Sequence, residues 1–465
     1  MTASVRTWSS LAVRDLDEFV FGRAARPLTV GHGLQIGAGT VHPELNFTLP
    51  PSSIDVSTMA AVNAEYAAMI EEACARAVAL GLPGLLVEFE LLPELTANPD
   101  WGARVTGTLR GALDRCHERH GLACALRVTP NDLREFVRPP LMRSGAKWEQ
   151  MVSSFELCAD AGADLLAIES TGGKEVHDDA LLSGDLPAAA FALGVLAPRD
   201  MAFLWDRIVA IAAAHGAIAS GDSACAFGNT AMVLAETRHI PRVWAALIRV
   251  MTVARSLVAY ERGAVGPSKD CAYEGPYIKA ITGVPISMEG AEAACAHLSP
   301  VGNIARATAD LWSNESVANI KLLGGMAPTV SLEQLAYATR LMNTATAAGR
   351  ALELRDLFVD SDAALDPQAY VLRPDVVLEL AGEIVAEPTP YLRVRRAALA
   401  TLERLRAVNA AGGLALAKGE LTWLGRLSGA ADELPEDEQE LIESVSGRVD
   451  AAKVRLEEYK LDGPL

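Results

Sequence analysis

The chain has 465 residues, half of them apolar, and carries a formal charge of -18. That length and apolar content can bury a large core, in one α/β barrel or in two to three ordinary domains. With 59 acidic against 41 basic residues, nucleic-acid binding is excluded as a main activity, because too few cations are available to displace counterions.

The opening residues lack the apolar stretch of a secretory signal. No later run reaches the roughly eighteen uninterrupted apolar residues of a membrane span. A soluble, cytoplasmic protein is expected. Seven cysteines, at 74, 116, 124, 158, 225, 271 and 295, are odd in number and irregularly spaced, which argues against a disulfide framework and leaves thiols for metal binding or packing.

In chain order, residues 1–30 read as an N-terminal arm, followed by GLQIGAG (33–39) as a first strand or hairpin. Short β-rich runs then alternate with amphipathic helices: EYAAMIEEACARAVAL (65–80), GLLVEFE (84–90), CALRVT (124–129), DLLAIES (164–170), DMAFLWDRIVAIAAAHG (200–216) and AIASGD (217–222). Repeated βα units predict an α/β fold, and an eight-stranded TIM-type barrel over 31–375 fits the length better than an open sheet. Residues 376–465 read as a helical C-terminal extension, interrupted by the acidic turn LPEDEQE (434–440). Neither GxGxxG after a strand nor GxxxxGK[ST] occurs, so a nucleotide cofactor is not indicated.

Three segments place an unusual polar residue at the end of a probable strand, where barrel active sites are built. They are IESTGGKEVHD (168–178), ASGDSACAFGNTAM (219–232) and GAVGPSKDCAYEGP (263–276), and they offer Glu169, Cys225 and Cys271. Two thiolates and a carboxylate suit zinc, with a fourth position open to an oxygen. Spacing alone leaves other readings standing. A cysteine among alanines is often a small core residue. Cys295 and His297 form a rival ligand pair, and His177 reads as a loop histidine. Glu169 needs a partner to offset desolvation; Glu88 and Glu90 raise the same question, which a salt bridge or helix cap would answer.

At these motifs the chain resembles the zinc-containing methanol:corrinoid methyltransferase family. The likeness runs through FVFGRAARPL, IGAGTVHPELN, GADLLAIESTGGKEV, ASGDSACAFGNTAM, RSLVAYERGAVGPSKDCAYEGP, IKAITGVPISMEG and DLWSNESV, covering nearly the whole chain and thinning in the helical tail. The resemblance implies a (βα)8 barrel with added helices, zinc on Glu169, Cys225 and Cys271, and methyl transfer from methanol to cobalt(I) of a corrinoid carried on a separate protein. It also implies a complex of several copies of both subunits.

Departures from the family pattern at Ala224, Phe227 and Gly228, and in AEAACAHLSP after SMEG, put the donor in question more than the reaction. Asp222 or Glu274 is expected to manage the alcohol proton. The alternatives are another methoxy compound or small alcohol as donor, a zinc hydrolase or lyase on the same barrel, and a non-catalytic scaffold in a corrinoid complex.

Overall fold

A computed structural model describes residues 6–49, 53–269, 274–296, 298, 300–317 and 321–463. Cys271 and His297 lie outside the described residues. An antiparallel hairpin, β1 (Arg23–Val30) and β2 (Leu34–Ala38), comes first. Seven parallel strands then form one curled sheet: β3 (His42–Thr48), β4 (Leu85–Glu90), β5 (Cys124–Thr129), β6 (Leu165–Ile168), β7 (Ile218–Asp222), β8 (Ser287–Glu289) and β9 (Leu311–Val317). Their spatial order is β7-β6-β5-β4-β3-β9-β8.

Between β7 and β8 a stave without regular strand geometry fills the ring. Val265 and Gly266 donate backbone hydrogen bonds to Ala219 and Ser220 of β7 (3.0 and 2.8 Å). Gly266, at φ +83°, packs so closely on Val284 and Pro285 that a Cβ would stand 2.8 Å from the Pro285 carbonyl. The expected α/β TIM-type barrel is therefore present, with seven ladder strands and this irregular segment.

Alternation along each strand assigns the two faces. In β4, Leu85, Val87 and Phe89 join the large core beneath the surrounding helices, while Leu86 joins a separate apolar cluster with Val30, Leu34, Ile36, Ala125, Leu165 and Leu311. Every member of that second cluster on the parallel sheet stands at or next to the start of its strand, so the β1–β2 hairpin stoppers the N-terminal end of the lumen. Gly31 in its turn has φ +54°, and a Cβ there would fall 2.4 Å from the Cys124 carbonyl.

Above the stopper the inward positions become charged. Arg127 pairs with Glu44 at 2.9 Å, both fully buried, and Arg127 Nη1 donates to the Ser268 carbonyl at 2.8 Å.

Helices Met59–Ala79, Pro99–His120, Gly145–Asp160 and Ala327–Ala347 flank the strands. Helices Leu186–His215 and Arg242–Glu261 are long and apolar enough to cross a membrane, but 89% and 100% of their apolar windows are buried inside the protein, as in core helices. The C-terminal helix Pro390–Ala410 packs on Arg242–Glu261, and at Gly194 its backbone comes close enough that a Cβ would stand 3.1 Å from Tyr391 Cα.

Candidate metal centre at the barrel mouth

The parallel ladder of β6 ends at Ile168, which pairs with Asp222. Glu169 follows it at the C-terminal end of the barrel, and residues 169–173 form a short loop before helix Lys174–Ser183. Each of the next four residues is held separately. Ser170 N donates to Asp222 Oδ1 (3.3 Å), while Thr171 gives both its N–H and its hydroxyl to Asp132 Oδ2 (2.9 Å each). Gly172 lies against Asp200, where a Cβ would stand 2.4 Å from the Asp200 Cβ. Gly173 N donates to Tyr459 Oη at 3.0 Å.

Behind the loop, Arg134 is fully buried and uses all its donors. Nε and Nη2 reach Asp132 (2.8 Å each), Nη1 and Nη2 reach Asp200 (2.7 and 2.9 Å), and Nη1 also reaches the Met142 carbonyl (3.0 Å). Burial pushes the Asp132 carboxyl up, but Arg134 and the Thr171 hydrogen bonds outweigh it and hold the group below the ordinary carboxylate range. Burial wins at Asp200, whose carboxyl is raised.

The Glu169 carboxylate is 28% exposed and lies 3.2 Å from the fully buried Lys269 ammonium. Lys269 also stands 3.3 Å from Glu88 and 3.3 Å from Glu90, and Thr129 donates its hydroxyl to Glu88 (2.6 Å). The salt bridge anticipated for Glu88 and Glu90 is thus present, and it includes Glu169. Three carboxylates surround one buried ammonium at the mouth.

Cys225 opens helix Cys225–Glu236, where the helix dipole favours an anionic sulfur. Its Sγ lies 3.0 Å from Ser223 Oγ. The loop before it is set from behind: Ala224 N and Ser256 Oγ both donate to Glu274 Oε1 (2.9 and 2.6 Å), and burial raises the Glu274 carboxyl. Asp222 accepts from Trp205 Nε1 and Arg255 Nη2 (3.0 Å each).

Glu169 and Cys225 share the wall of one cavity of about 250 Å³, together with Glu90, Thr129, Asn131, Glu135, Lys174 and Asn229. Asp222 and Glu274 do not line it; they sit behind the Cys225 loop and orient it. Ala224 and Gly228 do not line it either. His177 lies on a helix and not in a loop, fully buried edge-on to Phe227, and burial lowers its pKa. Cys295 is exposed.

Among the described residues no group of three or more metal-binding side chains comes together. Two donors of the anticipated set converge, and the third, Cys271, is outside them. A metal in this place requires the Cys225 thiolate. A carboxylate and a helix-terminal thiol facing one cavity fit a thiophilic, borderline-soft cation such as zinc.

Sequence reasoning missed Lys269, Asp132 and Arg255. The lysine stands two residues before Cys271 in GPSKDC, which was the available signal; the pairing of Arg255 with Asp222 had none.

A barrel with its polar cluster at the C-terminal mouth defines an enzyme of the TIM-barrel class. The family model for the methanol-cobalamin methyltransferase B subunit matches residues 5–460. Methanol–corrinoid protein co-methyltransferase of Methanosarcina barkeri (strain Fusaro / DSM 804) is 38% identical over 438 residues, 93% of this chain and 94% of that protein. In the crystal structure of the methanol:cobalamin methyltransferase complex MtaBC from Methanosarcina barkeri, one chain superposes with a TM-score of 0.94 at 36% identity, covering 98% of this chain and 100% of that one. The chain belongs to the methanol-cobalamin methyltransferase B subunit family.

Proposed function

We propose that this protein transfers the methyl group of methanol to cobalt(I) of a corrinoid carried by a partner protein, using zinc held by Glu169, Cys225 and Cys271. The observation that carries the reading is the placement of Glu169 and Cys225 on one cavity at the mouth of a barrel of this family. Bound there, zinc would supply Lewis acidity to the alcohol oxygen, as it does when it lowers the pKa of bound water to about 7 to 9.

In the overall reaction the methyl carbon passes to cobalt, the C–O electron pair stays on oxygen, and protonation releases water, leaving methyl-cobalt(III). Two thiolates and a carboxylate carry three negative charges, which would blunt the acidity of the metal. Lys269, 3.2 Å from Glu169, draws on that carboxylate and offsets part of the effect. Asp222 and Glu274 serve by holding the Cys225 loop, while Glu90, Asp132 and Glu135 line the cavity beside Glu169. Burial raises the Glu135 carboxyl, which suits a group that carries a proton.

The mouth also suits a flat macrocycle. Exposed Phe136, Val233, Leu298 and Leu323 lie in segments that follow β5, β7, β8 and β9, the connections that leave the C-terminal ends of the strands, and on this reading they would meet the macrocycle. The enzyme on this reading works in the cytoplasm as a hetero-oligomer with its corrinoid protein.

The test is an anaerobic spectrum of cob(I)alamin with reduced, zinc-loaded protein and methanol. Conversion to methylcobalamin that is lost on chelation is expected. Conversion only with a methoxy compound would change the donor. No conversion with any donor, even with a cognate corrinoid protein, would overturn the reading.

A further inference from the structure

The residues after Glu169 are held by different parts of the chain, and the last hold comes from farthest away. The C-terminal segment crosses the helices that follow β6. Arg448 pairs with Asp185 (2.6 Å) and Lys453 with Asp179 (2.8 Å), and Arg143 N donates to Glu458 Oε2 (3.0 Å). The segment continues into the short helical turn Leu456–Tyr459, which brings a buried phenol to the metal-ligand loop, 286 residues from Gly173 in sequence.

Gly173 is buried at φ +87°, immediately before helix Lys174–Ser183. Its amide is one of the terminal donors that the helix itself cannot satisfy, and the phenol oxygen is its acceptor. A buried N–H deprived of its acceptor is strongly disfavoured, so without the phenol the loop shifts or admits water. Burial, with Asp200 and Glu175 nearby, pushes the phenol up, so it stays neutral.

The sheet does not replace this hold. The β6 ladder ends at Ile168, so the backbone at Glu169 is set by the clamped residues after it. Asp132 and Arg134 hold Thr171 from the barrel side, and Tyr459 closes the other end.

We infer that Tyr459 is a positioning residue for Glu169: the C-terminal segment clamps the loop from beyond the barrel and fixes the carboxylate that faces the metal. The inference rests on the reading of Glu169 as a metal ligand. It gives the helical extension a part in the site that its composition did not suggest.

The experiment uses the reduced, full-length protein. Tyr459→Phe keeps the ring and removes the acceptor. Tyr391→Phe is the control: it is a second buried tyrosine of the C-terminal region, whose hydroxyl donates to the Pro435 carbonyl (2.5 Å) away from the loop. Zinc affinity is read by competition with a chromogenic chelator, loop mobility by amide hydrogen exchange over 169–174, and stability by the thermal midpoint.

Tyr459→Phe is expected to weaken zinc by up to about tenfold, the low end for groups bonded directly to a metal ligand, because the phenol acts through the loop backbone, and to speed exchange over 169–174. Tyr391→Phe is expected to lower the thermal midpoint comparably and leave zinc affinity unchanged. Unaltered zinc affinity in Tyr459→Phe, or an equal loss in Tyr391→Phe, overturns the inference. Glu169→Ala separates the two failures. If it abolishes zinc binding while Tyr459→Phe has no effect, the clamp alone is wrong; if it binds zinc like the wild type, the metal reading falls and the inference with it.

Discussion

Replacing Arg134 with methionine tests the support of the metal-ligand loop most directly. The guanidinium is fully buried between Asp132 and Asp200, each contacted through two hydrogen bonds of 2.7 to 2.9 Å. Methionine fills much of the volume and removes every donor. Breaking a buried pair by deleting one partner costs about 3 to 5 kcal/mol, and because both carboxylates share this cation the two losses do not add. About 4 kcal/mol is expected at pH 8, measured by urea unfolding.

The same variant has a pH signature. Without Arg134, the Thr171 hydrogen bonds are left to oppose burial at Asp132, and the already raised Asp200 is driven further up. A carboxyl with a folded pKa above its unfolded value binds more protons when folded, so stability falls as pH rises from the unfolded value through the folded one. Arg134→Met should therefore recover part of its loss at pH 5 relative to pH 8. A loss under 1 kcal/mol, or one equal at both pH values, would refute the assignment of this arginine as the shared counter-charge.

Three further outcomes are expected. Glu169→Ala and Cys225→Ser should each remove zinc and methyl transfer together, by a hundredfold or more on the order expected for a lost ligand, as read by metal analysis and the cobalamin spectrum. Burial lowers the His42 pKa to about 4; the neutral ring is favoured in the folded state, so the protein should lose about 3 kcal/mol as pH falls from the unfolded histidine value near 6.5 through 4. His42→Gln should flatten that slope in urea midpoints, and an unchanged slope would contradict the burial argument. Gly31→Ala should cost about 2 to 4 kcal/mol, from the positive φ and the clash with the Cys124 carbonyl, visible as a lower thermal midpoint.

The strands read from sequence are all buried along nearly their whole length. GLLVEFE, CALRVT, DLLAIES and AIASGD appear as Leu85–Glu90, Cys124–Thr129, Leu165–Ile168 and Ile218–Asp222, because continuous apolar runs bounded by turn residues have few other uses. The sixth stave, read as the end of a probable strand at 263–276, lacks regular strand geometry because Gly266 and Pro267 break its pattern, and its place in the ring depends on backbone contacts with β7 and the approach to β8.

Within the site, Glu169 and Cys225 were legible as odd residues at strand ends. For Asp222 and Glu274 the sequence could not fix placement, for a physical reason: an acidic residue beside a metal motif reads the same whether it faces the cavity or supports the loop from behind. Only their partners, Arg255, Trp205, Ser256 and the Ala224 amide, distinguish the two.

The stopper formed by the β1–β2 hairpin has a kinetic corollary. A vessel sealed at its base fills and empties through its neck, so a partner whose macrocycle caps that neck turns random access into a queue. Methanol already on the enzyme when the corrinoid protein arrives should be committed to turnover, and water should depart only after the partner lifts away. A pulse of labelled methanol, chased with unlabelled methanol as the partner is added, reads that commitment: retention of label in methylcobalamin marks an ordered enzyme, and full dilution marks a second way in.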